Sequence, residues 1–164
     1  MPARTTRATV ALDRLGVAYV LHEYSVAEKV GDGYGEAVAA AIDLPASRVF
    51  KTLVAEVDGT PVMALVPVDA RLSTRHLATA AGSKRAEMMA PGDAVRLTGY
   101  VTGGISPFGL KRQLGLYLDS SALAHDTVVV SGGQRGIQLE ITPYDLIRVA
   151  NATVATLVEE PSRR

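Results

Sequence analysis

Two apolar runs joined by a tight turn constrain the fold of this chain more than any other feature of its sequence. Residues 49–57 and 61–68 are rich in valine, leucine and alanine, and Asp58 and Gly59 stand between them. An Asp-Gly pair between apolar extended segments is a strong signal for a two-residue hairpin turn. The pattern therefore predicts a β-hairpin over these two runs.

Short helical and extended segments alternate along the rest of the chain, without repeats or a dividing linker. Helices are indicated where apolar residues recur at helical spacing or where alanine dominates, and glycines or Ser73 supply the caps. The predicted helices cover residues 5–15, 35–42 and 73–81, and a further one begins at Thr142. Strands rich in β-branched residues are predicted over residues 17–24, 114–118, 127–131 and 137–141.

These segments together predict a mixed α+β fold, organised as one domain over residues 1–164. About six or seven strands would form a mostly antiparallel sheet that is curved or closed into a barrel-like shape. The helices would surround this sheet. A chain of 164 residues is long enough to bury a core of this kind.

Composition excludes several classes of function. The chain has no cysteine, which excludes a disulfide scaffold, a thiolate zinc site and a cysteine nucleophile. His22, His76 and His125 lie in no metal-binding spacing, and no phosphate-binding P-loop or Gly-x-Ser-x-Gly motif is present. We therefore expect neither a metal nor an organic cofactor.

Charge and hydropathy narrow the expected partners and location. Lysine plus arginine equals aspartate plus glutamate, 17 against 17, which argues against a general nucleic-acid coat, and we expect no DNA partner. No apolar run approaches the roughly 20 residues of a membrane span, and the first residues lack a signal-peptide core. These observations predict a cytoplasmic protein with no membrane partner.

Lys51 is the first residue that could carry chemistry. Strand alternation places it on the same face as Val49 and Leu53. If that face points inward, a cation lies in a largely apolar pocket, which is costly without a functional partner. The alternative is an edge-strand lysine that discourages aggregation, and pattern alone favours this second interpretation.

A glycine-rich segment over residues 99–109 is the second candidate. It holds four glycines and one proline within eleven residues, which is typical of a loop with unusual dihedrals and exposed backbone N–H groups. Such a loop can bind a carbonyl oxygen, a developing oxyanion or a phosphate, or it can be an ordinary turn. Residues 131–133 form a weaker loop of the same type.

Several segments in the same order and spacing resemble the YbaK/EbsC family, the free-standing relatives of the editing domain inserted in bacterial prolyl-tRNA synthetases. The resemblance rests on residues 21–24, 48–53, 84–88, 97–100, 103–109, 130–136 and 139–140. It implies a β-barrel-like fold ringed by helices and an aminoacyl-tRNA deacylase that works without a metal.

The resemblance also implies the substrate and partners. The expected substrate is Cys-tRNA(Pro), with Cys-tRNA(Cys) as a second candidate, and the protein would act in trans on the aminoacylated 3′ end of tRNA. Prolyl-tRNA synthetase is the implied protein partner. In the family the substrate's own thiol is thought to attack its ester carbonyl, which fits a chain without cysteine.

Site residues follow from the same resemblance. Lys51, Gly103 and Gly104 would be catalytic, with the lysine polarising the substrate end and the glycine N–H groups stabilising the oxyanion. The implied substrate-binding residues are Tyr24, Tyr34, Thr52, Ile105, Ser106, Pro107, Ser131 and Arg135. Tyr34 stands where the family often has phenylalanine, and residues 25–29 lack a His-Asp pair that is often present there.

Two other functions stay open, beside that of a general phosphate-binding protein, which rests on the glycine-rich loop alone. One is the removal of alanine from tRNA(Pro) on the same fold, with water as the attacking group. The other is a non-catalytic module that binds a tRNA end or a synthetase.

Overall fold

The computed structural model describes residues 5–26, 31 and 33–160. Five α-helices and eight strands lie within these residues. The helices are α1 (Arg7–Arg14), α2 (Tyr34–Ala41), α3 (Thr74–Ala80), α4 (Pro91–Thr98) and α5 (Pro143–Ala150). The strands are β1 (Val20–Glu23), β2 (Phe50–Val57), β3 (Thr60–Pro67), β4 (Ala86–Met88), β5 (Gly115–Asp119), β6 (Val128–Ser131), β7 (Ile137–Ile141) and β8 (Thr153–Ala155).

The strands form two sheets. The larger has the order β4-β2-β3-β5-β8 and the smaller the order β1-β7-β6. The β1–β7, β6–β7, β2–β3 and β2–β4 pairs are antiparallel, whereas β3–β5 and β5–β8 are parallel. The predicted α+β class and mostly antiparallel pairing are confirmed. The predicted sheet is divided into two, however, and no closed barrel forms among the described residues.

The predicted hairpin is β2 and β3, paired along their full lengths. Asp58 and Gly59 connect them with φ values of 47° and 83°. Positive φ at both central residues is what a type I′ turn requires, and its twist matches that of the flanking strands. The turn chemistry therefore fixes the register of the central hairpin.

Alternate residues of β2 direct their backbone groups to opposite edges. The Val68 N–H donates to the Val49 oxygen at 2.8 Å, so the odd-numbered residues bond to β3. At the other edge the Met89 N–H donates to the Val54 oxygen at 3.1 Å. Because the hydrogen-bonding direction alternates along an antiparallel strand, the N–H and C=O groups of Thr52 face away from β3.

The two faces of β2 meet different apolar clusters. Val54 belongs to the largest core, which also contains the inward residues of β6 and β7. Leu53 packs on the opposite face, with Leu77 of α3. Side chains alternate between the faces of a strand, so Thr52 shares the face of Val54 and Lys51 that of Leu53.

Some elements differ from the sequence prediction. The strands β4 and β8 and the helix α4 were not predicted. The first of the predicted strands is shorter than expected, because Val17 still bonds to the end of α1 through the Leu12 oxygen at 3.1 Å. Within the described ranges, no helix has the length and apolar character needed to cross a membrane.

Candidate active site

A cavity of about 1030 Å³ opens beside a stretch of β2 that is paired with β3 on one edge and has no strand paired to its other edge among the described residues. On one side of this stretch Val49 bridges to Val129 of β6. On the other side Val54 accepts the hydrogen bond from Met89, just after β4. Between these two contacts the sheets separate, and residues 50–53 line the cavity. The cavity is therefore a consequence of how the two sheets diverge from one strand.

Thr52 lies in the middle of this open stretch. Its side-chain Oγ1 is buried and has no hydrogen-bond partner in the described part of the chain. Its backbone N–H and C=O also face the gap, as the alternation along β2 requires. An unsatisfied buried hydroxyl costs about 1–3 kcal/mol, which a native protein rarely tolerates without a reason. Thr52 thus presents polar groups in a position that a ligand could satisfy.

Lys51 lines the same cavity from the other face of β2 and is half-buried. Its strand has β3 on one side and β4 on the other, so it is not an edge strand of the sheet. Lys51 nevertheless lies in the stretch of β2 whose second edge is open, so the anti-aggregation interpretation stays a prediction beside the functional one. Lys51 therefore borders the space that a bound molecule would occupy.

The glycine-rich loop supplies another part of the cavity wall. Thr102, Gly103 and Ile105 line the cavity, and Gly103 has a φ of 85°. The Gly104 N–H instead donates to the Val101 oxygen at 2.9 Å and closes a turn. The Gly104 N–H is thus already used in this geometry, so the oxyanion-donor role predicted for Gly104 gains no support and stays a prediction. The Gly103 amide makes no such backbone bond among the described residues.

Gly104 allows the glycine-rich loop to contact the loop of residues 131–136 closely. A Cβ added to Gly104 would lie 3.1 Å from the Cα of Gln134 and 3.2 Å from the Arg135 nitrogen. Beside this contact, Arg135 Nε donates to the Thr102 oxygen at 2.8 Å. The absence of a side chain at Gly104 thus lets residues 102–104 rest directly on the backbone of residues 134–135.

Ser106 and Pro107 lie behind the cavity wall. Both are buried, and neither lines the cavity. Ser106 Oγ accepts a hydrogen bond from the Phe108 N–H at 3.3 Å, which stabilises the end of the loop. Neither residue is part of the cavity lining, so the structure supports an internal role for Ser106, and the substrate contact expected of both residues stays a prediction.

The third wall carries the predicted serine and tyrosines. Ser131 lines the cavity, and its Oγ accepts from the Gly133 N–H at 3.3 Å. Tyr34 also lines it, while Tyr24 stands just behind. Burial raises the pKa of Tyr34, and a hydrogen bond with Tyr24 raises it further, against a smaller opposing effect of Arg135. The predicted residues Tyr24, Tyr34 and Arg135 are thus brought together.

Gln138 is a residue that the sequence prediction missed. It lies on β7, is 5% exposed and lines the cavity. Its Nε2 donates to the Tyr24 hydroxyl oxygen at 3.3 Å. A lone glutamine in the otherwise apolar stretch 137–139 was the signal that could have found it, because buried amides need partners. Met88 and Met89 also line the cavity.

A separate polar network outside the cavity links the segment before β2 to the smaller sheet. Glu140 on β7 contacts His22 Nε2 at 2.8 Å through one oxygen, and Arg48 at 3.2 Å and Thr127 Oγ1 at 2.5 Å through the other. The hydrogen bond from Thr127, followed by that from His22, lowers the pKa of Glu140. In the described segments no cluster of three or more metal-binding side chains is present.

Similarities to known proteins extend over most of the chain. Residues 32–149, which include Lys51 and Gly103, match the family model of the aminoacyl-tRNA editing domain. EbsC of Enterococcus faecalis, provisionally named as a Cys-tRNA(Pro)/Cys-tRNA(Cys) deacylase, is 36% identical over 136 residues, which are 82% of this chain and 83% of EbsC. The uncharacterised YwhH of Bacillus subtilis is 33% identical over 112 residues, or 68% and 71% of the two chains. The crystal structure of a protein provisionally described as a trans-editing enzyme for prolyl tRNA synthetase matches with a TM-score of 0.81 at 25% identity, over 94% and 96% of the two chains.

Proposed function

The chain belongs to the aminoacyl-tRNA editing domain family, and on that premise we propose that it is a trans-acting deacylase for Cys-tRNA(Pro), with Cys-tRNA(Cys) as a second candidate substrate. The observation that carries the proposal is the cavity beside the open stretch of β2, where Lys51, Gly103 and Ser131 line one space. The substrate would be the aminoacylated 3′ end of tRNA. Because that substrate is consumed in translation, we expect the protein to act in the cytoplasm.

A separate hydrolytic site has a physical reason. Proline and cysteine are similar in size, so a synthetase pocket distinguishes them by only about 1–3 kcal/mol. A second site that destroys the wrong product adds the missing selectivity. The polar groups on three walls of this cavity suit that task, because they can hold an ester end in one orientation.

The nucleophile in our proposal is the thiol of the substrate. The chain contains no cysteine, and no histidine lines the cavity within the described residues. A cysteine thiol, with a pKa of about 8.5, is partly ionised near neutral pH. The sulfur would attack the ester carbonyl carbon, the new C–S bond would form as the C–O bond to the ribose breaks, and the ribose oxygen would take the thiol proton. Water would then open the resulting thiolactone to free cysteine.

Residues of the cavity would assist at defined atoms. Lys51 would anchor and polarise the substrate end, and the Gly103 N–H would stabilise the developing oxyanion. Thr52 and Ser131 would bind the aminoacyl group. A base of the unpaired 3′ end would be held by stacking and edge hydrogen bonds, for which Tyr34 and Arg135 are candidates.

The first test is hydrolysis of Cys-tRNA(Pro), Ala-tRNA(Pro) and Ser-tRNA(Pro) by the wild type and by Lys51→Ala. We expect loss of cysteine only, and a decrease of about 10²-fold or more in kcat/KM for the variant, as for other single electrostatic groups. Lys84→Ala is the matched control, since Lys84 is exposed and lies outside the cavity lining.

The other outcomes point to different functions. Preferential hydrolysis of Ala-tRNA(Pro) would support an editing function in which water, and not the substrate thiol, attacks the ester. No hydrolysis of any substrate, with tRNA binding intact, would indicate a non-catalytic module. Full activity of Lys51→Ala would contradict the role proposed for this lysine.

Prolyl-tRNA synthetase is the proposed partner in this reaction. With a net charge of zero, the protein has little long-range attraction for the tRNA body. A transient complex with the synthetase would raise the local concentration of mischarged tRNA. Addition of the synthetase should therefore lower KM, and a steep dependence of tRNA affinity on salt in its absence would argue for direct binding by many phosphate contacts.

A further inference from the structure

The first turn of α1 contacts both loops that line the cavity. Thr6, the N-cap of α1, donates from its Oγ1 to the Gly132 oxygen at 2.6 Å. The following residue, Arg7, donates from its Nη2 to the Thr98 oxygen at 3.2 Å. One short segment thus reaches the serine loop at residues 131–136 and the beginning of the glycine-rich loop.

Arg7 also covers an aromatic ring in the glycine-rich loop. Its guanidinium carbon stands 4.8 Å from the centroid of the Tyr100 ring, within the range of a cation–π contact. Burial raises the pKa of Tyr100 to about 12, and the hydroxyl donates to the Phe108 oxygen at 2.5 Å. The Arg7–Tyr100 pair therefore joins the beginning of the glycine-rich loop to its end at Phe108. The cavity-lining residues of the loop lie between these two points.

Three glycines make this close contact sterically feasible. A Cβ on Gly99 would lie 2.3 Å from Arg7 Nη2, and one on Gly109 would lie 2.4 Å from the Arg7 oxygen. A Cβ on Gly133 would lie 3.0 Å from the Tyr100 ring. Each of these glycines has positive φ, so both the backbone conformation and the space depend on the missing side chain.

We propose that Arg7 is a positioning residue, which holds the loop of residues 99–109 so that the Gly103 amide faces the substrate. The proposal rests on the proposed function. Gly103 lies midway between the anchored ends at Gly99 and Gly109. If the Arg7 guanidinium is removed, the Thr98–Tyr100 end of the loop loses its support, while the backbone contact of Arg7 at Gly109 remains. The tyrosine that bonds to Phe108 is then less well held, and the Gly103 amide shifts relative to β2. Misplacement of a reacting group by about 1 Å is sufficient to slow catalysis by about 10²-fold.

The test compares Arg7→Met with Arg14→Met on the same helix. Methionine keeps most of the apolar stem of Arg7 and removes the guanidinium, while Arg14 is exposed in the last turn of α1. For Cys-tRNA(Pro) we expect kcat to fall at least tenfold in Arg7→Met, KM to change less than twofold, and both values to stay at wild-type level in Arg14→Met. Tyr100→Phe, which removes only the hydroxyl bond to Phe108, should give an intermediate decrease in kcat.

Hydrogen exchange supplies a readout that does not depend on activity. Amides of residues 99–109 and 131–136 should exchange faster in Arg7→Met, while β2 and β3 keep wild-type protection. Unchanged kcat, unchanged exchange in both loops, or equal acceleration throughout the chain would overturn the proposal. If the wild type hydrolyses none of the three aminoacyl-tRNAs, the proposed function fails, and the exchange pattern alone decides whether Arg7 positions the loops.

Discussion

The hydroxyl of Thr52 is buried beside the cavity without a hydrogen-bond partner among the described residues. Removing this hydroxyl should change the stability of the protein and its activity in opposite directions. Thr52→Val keeps the shape of the side chain and replaces the hydroxyl by a methyl group. An unsatisfied buried hydroxyl costs about 1–3 kcal/mol, so we expect the free energy of unfolding to rise by about 1 kcal/mol. For a chain of this size that corresponds to an increase in Tm of roughly 2–4 °C.

Activity should change in the opposite direction. If the substrate supplies the missing hydrogen bond, its loss removes about 0.5–1.5 kcal/mol of binding, which is roughly a two- to tenfold decrease in kcat/KM. The assays are thermal unfolding without ligand and single-turnover deacylation of Cys-tRNA(Pro). A valine variant that is more stable and less active is the expected result.

Thr98→Val is the matched control for stability. Thr98 is fully buried like Thr52 Oγ1, but its hydroxyl donates to the Ala94 oxygen at 2.8 Å and accepts from the Tyr100 N–H at 3.2 Å. Its removal takes the acceptor from the buried Tyr100 N–H and one donor from the Ala94 oxygen, and we expect a loss of about 1–3 kcal/mol. The reasoning is refuted if Thr52→Val is destabilised as much as Thr98→Val, or if it retains full activity.

Further predictions concern the loop contact, the sheet junction and the pocket. Gly104→Ala places a methyl group 3.1 Å from the Cα of Gln134, so the two loops must separate, and kcat/KM should fall about tenfold or more with a smaller effect on Tm. The pKa of Glu140 is lowered chiefly by the hydrogen bond from Thr127. The stability that this carboxylate contributes is therefore present above its ordinary pKa of 4.5 and is lost as the pH falls through the lowered value, so Glu140→Gln should flatten the acid side of a urea-unfolding series. Tyr34→Phe removes a hydroxyl from the cavity wall, and we expect a change in the ratio of kcat/KM for Cys-tRNA(Pro) to that for Ser-tRNA(Pro), whereas an identical ratio would exclude a role in selectivity.

The central hairpin could be predicted because its signals are local. The Asp58-Gly59 turn and the apolar runs on both sides specify the pairing without help from distant residues. The arrangement as two sheets could not be predicted from the sequence. The sheets meet at the bridge between Val49 and Val129, and these residues are far apart in sequence. The strand Thr153–Ala155 was missed for the same reason, because three residues in parallel pairing carry no local signal of their own.

The site shows the same division between local and distant information. The resemblance led to Lys51 and Gly103, and both line the cavity. The resemblance did not distinguish the residues of the glycine-rich loop that line the cavity from those that anchor the loop. Ser106 was therefore predicted to bind substrate, although its side chain is buried and outside the cavity lining. Gln138 escaped notice because a strand pattern predicts burial and does not reveal which buried residue faces a cavity.

The open stretch of β2 has a consequence for solubility. An unpaired strand edge is a template on which another protein chain can add a strand, and proteins usually protect such edges with charges, prolines or bulges. Here the opening covers only residues 50–53, and β6 and β4 close it at both ends. Four residues of extended chain span about 13 Å, less than the five or six residues of a typical strand. The opening is thus long enough for a small molecule and too short for a foreign strand, so the protein can keep backbone hydrogen-bonding groups accessible without becoming a seed for aggregation.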